Sequence, residues 1–122
     1  STGREARIQT IASPVAALAQ MATVGTGMPA ASFGLPIYGM IPTSAPFGDG
    51  LLCISSLSPS FTRGPVGRAN SAGSLATEFD FVTPGLGAGF VAGSTWYHQI
   101  IFRDTGPSGL DTTDAIFVTF EP

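Results

Sequence analysis

The chain has no lysine, one histidine, one cysteine, one tryptophan and one asparagine among its 122 residues. Only 11% of residues are charged, against about 25% in an average soluble domain. Eight acids against five arginines leave a net charge of -3. So small a cationic complement excludes a nucleic-acid binder, which needs a basic face to neutralise phosphates. The longest apolar run, Val15 to Val24, is half of what a membrane-spanning helix needs, so no membrane span is expected. One cysteine closes no disulfide within the chain. No Asn-x-Ser/Thr sequon exists, because Asn70 is followed by Ser71-Ala72, so any glycan sits on Ser or Thr. A surface this poor in Lys and Glu is also unlike that of ordinary cytosolic enzymes.

Glycine and proline are abundant, with 16 and 10 residues. That density excludes a coiled coil. The 43% hydrophobic fraction argues against disorder. Length favours one domain over residues 1–122. A small domain exposes much of its area, and here there is little charge to cover it. Two readings remain open: a secreted protein with an uncharged polar surface, or copies that pack on one another.

Turn-forming clusters separate short apolar runs about ten residues apart, the pattern of a sandwich or barrel. Strands are expected near Ala6–Ala12, Val15–Val24, Leu35–Ile41, Leu51–Ser55, Ser74–Phe81, Thr95–Arg103 and Ala115–Phe120, with a short one near Ser60–Arg63. Loops are expected at Thr43–Pro46, Pro84–Gly89 and Asp104–Gly109. Val15–Ala22 has strong helix propensity, but its β surroundings favour a strand. Within Thr95–Arg103, Trp96, His98, Ile100 and Phe102 share one face, and Tyr97, Gln99, Ile101 and Arg103 the other. Both faces are largely apolar, so this strand is expected at the centre of a sheet with its second face partly covered. The expected fold is all-β, a jelly-roll-like antiparallel sandwich of about eight strands.

Chemistry is scarce. His98 stands alone in mid-strand with no Gly-x-Ser-x-Gly elbow anywhere, which points to packing rather than base catalysis. His98 and Cys53 are too few for a structural zinc. Asp104, Asp111 and Asp114 are weak calcium candidates; their spacing matches no calcium loop, and capping of loop backbone is preferred. Glu78 and Asp80 share a strand face but face no partner carboxylates. Gly25-Thr-Gly-Met-Pro mimics a dinucleotide motif yet cannot open a helix, so a turn is expected. Cys53 is either a buried small residue among Leu51, Leu52 and Ile54 or a link to another chain. No cofactor is expected.

Three stretches, Pro46-Phe-Gly-Asp-Gly-Leu-Leu-Cys53, Gly93-Ser-Thr-Trp-Tyr-His-Gln-Ile-Ile-Phe-Arg-Asp104 and Thr113-Asp-Ala-Ile-Phe-Val-Thr-Phe120, resemble a β module of large secreted planctomycete-type bacterial proteins, commonly found at their C-terminal ends. The resemblance implies an all-β sandwich without assigned catalytic residues. It marks Cys53, Trp96, Gln99, Arg103, Asp104 and Asp114 as motif positions, with Gln99, Arg103 and Asp104 in a structural polar network at a strand end. His98 stands where that family has an aromatic residue. Members often carry a second cysteine before a Ser-Thr-Gly stretch, which would pair with the Cys53 position. This sequence begins Ser1-Thr2-Gly3 without it, which leaves a boundary inside the module, a lost link or a link between chains open.

The expectation for function is a non-catalytic structural subunit of an extracellular or cell-surface bacterial filament or layer. Its partner would be copies of itself, joined by β-strand addition, with residues 1–24, and Ala6–Val24 in particular, as the exchanged segment. The alternative is an adhesion or carbohydrate-binding module recognising surface glycans, with Tyr38, Phe47, Phe61, Phe90 and Tyr97 as platform candidates.

Overall fold

A computed structural model describes residues 6–48, 50–80, 93–103 and 109–120, except 11–19. The described residues form antiparallel β-sheets and no helix. There are eleven short strands where about eight are expected: β1 (Arg7–Thr10), β2 (Gln20–Thr26), β3 (Phe33–Gly39), β4 (Pro42–Phe47), β5 (Gly50–Ile54), β6 (Thr62–Arg63), β7 (Gly67–Arg68), β8 (Leu75–Asp80), β9 (Thr95–Arg103), β10 (Leu110–Thr112) and β11 (Ile116–Thr119). The expected strand over Val15–Val24 is seen only as β2, since residues 15–19 lie outside the described set, as do the Pro84–Gly89 loop and residues 104–108.

Two sheets pack face to face as a β-sandwich. The small sheet runs β1-β2-β8, and the large sheet runs β10-β9-β3-β6, with β11 also on β9 and β7 also on β3. Alternation sets the inner faces. Thr23, Leu75, Thr77 and Phe79 of the small sheet are buried, and so are Trp96, His98, Ile100 and Phe102 of β9. One half of the interior joins Ile8, Met28, Leu75, Ile100 and Phe102; the other joins Tyr38, Phe79, Trp96, Val118 and Phe120. In the second half the rings pack edge to face, with Tyr38 and Phe79 at 5.5 Å between centroids and 89° between planes.

The fragmentation of the strands has local causes. Pro36 lies in the middle of β3, and its carbonyl accepts from Gly64 N–H at 2.8 Å. Its nitrogen, which has no hydrogen to give, faces the same side, so the pairing strand is broken there into β6 and β7. β10 and β11 are one strand interrupted by a bulge. Thr112 pairs with Ile101 and Ile116 with His98, so four steps on one strand oppose three on β9.

One strand overturns an expectation. Thr43–Pro46, read as a loop, belongs to β4, which forms a hairpin with β5 through a two-residue connection starting at Gly48, φ +57°. Pro42 and Pro46 are tolerated because no described strand pairs with the other edge of β4. The Gly25–Pro29 stretch behaves as read, closing β2 and turning at Gly27, φ +79°.

Glycines let the sheets approach. A Cβ at Gly34 would stand 2.6 Å from Leu75 Cδ2 and 3.2 Å from Ile100 Cγ2, and a Cβ at Gly67 would stand 2.6 Å from Leu75 Cδ1. Leu75 is wedged between the two and cannot yield to either. Gly34→Ala is therefore expected to cost about 1–3 kcal/mol by overpacking. Thermal unfolding of Gly34→Ala, Leu75→Val and the double variant checks this: the double variant loses less than the sum of the singles.

Candidate functional site

The bulge after β10 gathers a cluster of polar side-chain bonds. Thr113 replaces a ladder partner with its own side chain: Oγ1 accepts from Ile100 N–H at 3.0 Å and donates to Asp114 O at 2.7 Å, while Thr113 N–H donates to Ile100 O at 2.9 Å. The extra residue turns Asp114 toward β1. Asp114 Oδ1 accepts from Ile8 N–H at 2.8 Å, and Asp114 N–H donates to Ala6 O at 3.2 Å. Asp114 thus caps part of the outer edge of β1 as a strand would.

Gln99 lies beneath this bulge, fully buried on the outer face of β9. Its Nε2 donates to Leu51 O at 2.7 Å and to Thr113 O at 2.8 Å, and its Oε1 accepts from Cys53 N–H at 3.0 Å. Thr112 Oγ1 adds a bond to Leu51 O at 2.9 Å. One amide therefore fastens the β4–β5 hairpin to the large sheet. This hairpin covers part of the second face of β9, as that strand's composition requires. Above lies an open groove of about 420 Å³ lined by Gly50, Leu51, Cys53, Asp111, Thr113 and Asp114, among others.

The motif residues separate. Cys53 and Asp114 line the groove, and Gln99 underlies it. Trp96 lies in the aromatic interior, its Nε1 donating to Ser94 Oγ at 3.1 Å. Arg103 is exposed at the far end of β9, opposite Leu110. The network of Gln99 is thus in mid-strand, not at the strand end with Arg103. Asp104 lies outside the described residues. Cys53 is a free, half-buried thiol, neither sealed in the core nor fully exposed. Asp111 belongs to β10 rather than to a loop, and its Oδ1 accepts from Thr112 N–H at 2.8 Å. Asp111 and Asp114 are both bonded to backbone amides, and no group of three or more His, Cys, Asp or Glu converges among the described residues. Thr113 and Leu51 were missed by the sequence reading because a bulge has no periodic signature.

Among the platform candidates, Tyr38 is buried against Phe79, Trp96 and His98, which removes it from any exposed surface. Phe47, Phe61 and Tyr97 are half-buried, and Phe90 lies outside the described residues. Tyr97 stands 5.9 Å from the exposed ring of Phe117.

His98 is 1% exposed, stacked with Tyr38 and edge-on to Phe79. Desolvation by burial lowers its pKa to about 3, so the ring is neutral at physiological pH. It lies on the inner face of β9, away from the groove.

Comparison with protein-family models, curated proteins and solved structures finds no match to this chain. No helix among the described residues is long and apolar enough to cross a membrane. The class that fold and site define is an antiparallel β-sandwich with an open groove whose polar side chains bond the protein's own backbone.

Gln99→Leu keeps the volume but removes three hydrogen bonds, and is expected to cost at least about 2 kcal/mol. The Cys53 thiol should then react faster with a disulfide reagent; unchanged stability and labelling would show the hairpin to be held otherwise. The histidine gives a pH signature. Between its unfolded value of 6.5 and about 3, the unfolded chain binds a proton that the native chain excludes. Stability should therefore fall as pH drops through this window, at roughly 1.4 kcal/mol per unit. Denaturant midpoints between pH 6.5 and 4.5 should show a shallower slope in His98→Phe.

Proposed function

We propose that this protein is a non-catalytic structural subunit of an extracellular bacterial filament or surface layer, assembled by β-strand addition between copies. The observation that carries this reading is the outer edge of β8. Among the described residues β8 pairs only with β2, leaving a second edge six residues long. Soluble sandwiches guard such edges with charged side chains, lysine above all, with proline or with a bulge. β8 carries Glu78 and Asp80 but no lysine or proline, its register against β2 is unbroken, and the whole chain lacks lysine.

The donor is β1, the part of the expected Ala6–Val24 segment that lies at the other edge of the same sheet. β1 is bounded on one side by β2 and on the other by the two bonds to Asp114. Adding the β1 edge of one copy to the β8 edge of the next, with the incoming strand replacing the two Asp114 bonds, continues the small sheet. Such a head-to-tail contact repeats without closing unless its rotation forms a ring. Exposed apolar side chains, including Phe33, Ile41, Leu57, Val66 and Phe117, agree with a surface meant for burial. The resemblance to a secreted bacterial module supports the extracellular setting. Adhesion to glycans is the second reading, favoured by the exposed Phe117 beside Tyr97.

The register directs the test. Ile8 N–H points to Asp114 and so away from β2; alternation across the unbroken ladders then directs the N–H groups of Ala76 and Glu78 to the open edge. Ala76→Pro removes one such donor without touching the β2–β8 ladder. Electron microscopy and light scattering should show filaments from the wild type and folded monomers from Ala76→Pro. Equal filaments from both would overturn the reading.

A further inference from the structure

We infer that the outer face of the large sheet binds an acidic polysaccharide, a polyuronate whose carboxylates pair with arginines while its ring faces lie on apolar side chains. Arg63, Arg68 and Arg103 are all exposed. By register they share one face: Arg63 stands opposite Ile37, Arg68 opposite Phe33 and Arg103 opposite Leu110, with Leu35 and Ile101 paired on the same side. The β3–β9 register carried one step past Gly34 and Phe102 sets Phe33 beside Arg103. Arg68, Phe33 and Arg103 thus form a row across three strands. Two strand spacings put the arginine backbones roughly 10 Å apart, about the length of a disaccharide. An apolar groove of about 260 Å³ opens along this row, lined by Phe33, Leu35, Val66, Ile101, Arg103 and Leu110. Phe33 and Val66 are 54% and 65% exposed. The Arg68 guanidinium lies 5.2 Å from the Phe33 ring centroid, and its Nε donates to Ala31 O at 2.8 Å, which holds charge and ring together ahead of any ligand.

Charge and shape name the occupant. No acid among the described residues shares this face by register: Glu78 and Asp80 belong to the small sheet, Asp111 is opposite the inward-facing Phe102, and Asp114 bonds Ile8 of β1. The partner is therefore an anion. Guanidinium groups take carboxylates in paired, charge-assisted bonds. An exposed phenyl ring takes the C–H face of a sugar, because its π face is negative. A polyuronate offers both at once, a carboxylate on every ring and an apolar face beside it. An acidic peptide joins a sheet through backbone groups at an edge, whereas this face presents side chains. A nucleic acid draws its affinity from many phosphate contacts, and three arginines supply few. The site goes beyond strand addition and does not rest on it, since β8 belongs to the other sheet. It is also separate from Tyr97 and Phe117.

Titration calorimetry with a short oligogalacturonate tests the assignment, with its methyl ester as the uncharged control. The acid form should bind at ~20 mM salt and lose at least tenfold in affinity by ~300 mM, as the Debye length shortens. The ester should bind at least tenfold more weakly. Arg68→Gln with Arg103→Gln should cost at least tenfold, and Phe33→Ala several-fold. Arg103→Gln alone leaves the Arg68 bond to Ala31 in place and should still weaken binding several-fold. Phe117→Ala should leave the affinity unchanged. The same values are expected for the Ala76→Pro protein, so the result is read whether or not filaments form. Absence of binding at ~20 mM salt overturns the site. So does equal binding of acid and ester, or binding indifferent to the arginine variants. Tighter binding of polyglutamate or of single-stranded DNA overturns it in favour of an acidic peptide or a nucleic acid.

Discussion

The structure depends on satisfying the backbone of one strand. β9 is flanked by β3 on one side and by a broken strand, β10 and β11, on the other, and it is covered on both faces. A break beside a buried strand leaves amide and carbonyl groups that no water reaches, and each such group costs about 1–3 kcal/mol if left unmet. Thr113 meets this cost with its hydroxyl and its own backbone on Ile100. Gln99 meets it from beneath, giving both amide hydrogens and its carbonyl oxygen to the hairpin and the bulge. Asp114, displaced by the same extra residue, extends the arrangement to β1. Four elements that are distant in sequence are thereby tied at one point, by side chains acting as backbone.

This accounts for where the few polar residues stand. With so few charges, the chain has no surplus for a surface network, and the described acids of the bulge are occupied with amides. Such bonds to ionised acceptors are stronger than neutral ones. The same economy explains His98. A neutral ring buried among Tyr38 and Phe79 serves as an aromatic plate at physiological pH, and its burial makes protonation unfavourable.

The all-β class, the centrality of Thr95–Arg103 and its division into two faces were legible in the sequence, because period-two burial leaves a direct trace. Trp96, His98, Ile100 and Phe102 could be assigned to one face from alternation alone. The β4 strand was not legible: Pro42 and Pro46 are turn signals by any local rule, and only their place on an unpaired hairpin edge makes them compatible with a strand. The bulge at Thr113–Ala115 was equally hidden. Its polar run reads as a strand start, and the extra residue is revealed only by pairing with β9. The candidate site was therefore half readable. Cys53, Gln99 and Asp114 were marked as motif positions, but their convergence depends on a register that one chain segment does not contain. Arg103 was grouped with Gln99 through the motif that the resemblance supplied, and a strand of nine residues carries the two to different surroundings.

The low charge and the open edge bear on one another. A chain that must remain monomeric gains from lysines on exposed strands, since they keep neighbouring edges apart at small cost to the fold. Here Arg63, Arg68 and Arg103 share one outer face of the large sheet, and Glu78 and Asp80 belong to β8, which pairs only with β2 among the described residues. Alternation along that strand turns Leu75 and Thr77 inward and leaves Ala76 and Glu78 exposed on the outer face. On the proposed strand addition, the unbroken register of β8 and the lack of lysine leave Glu78 and Asp80 as the charges that an incoming strand has to accommodate.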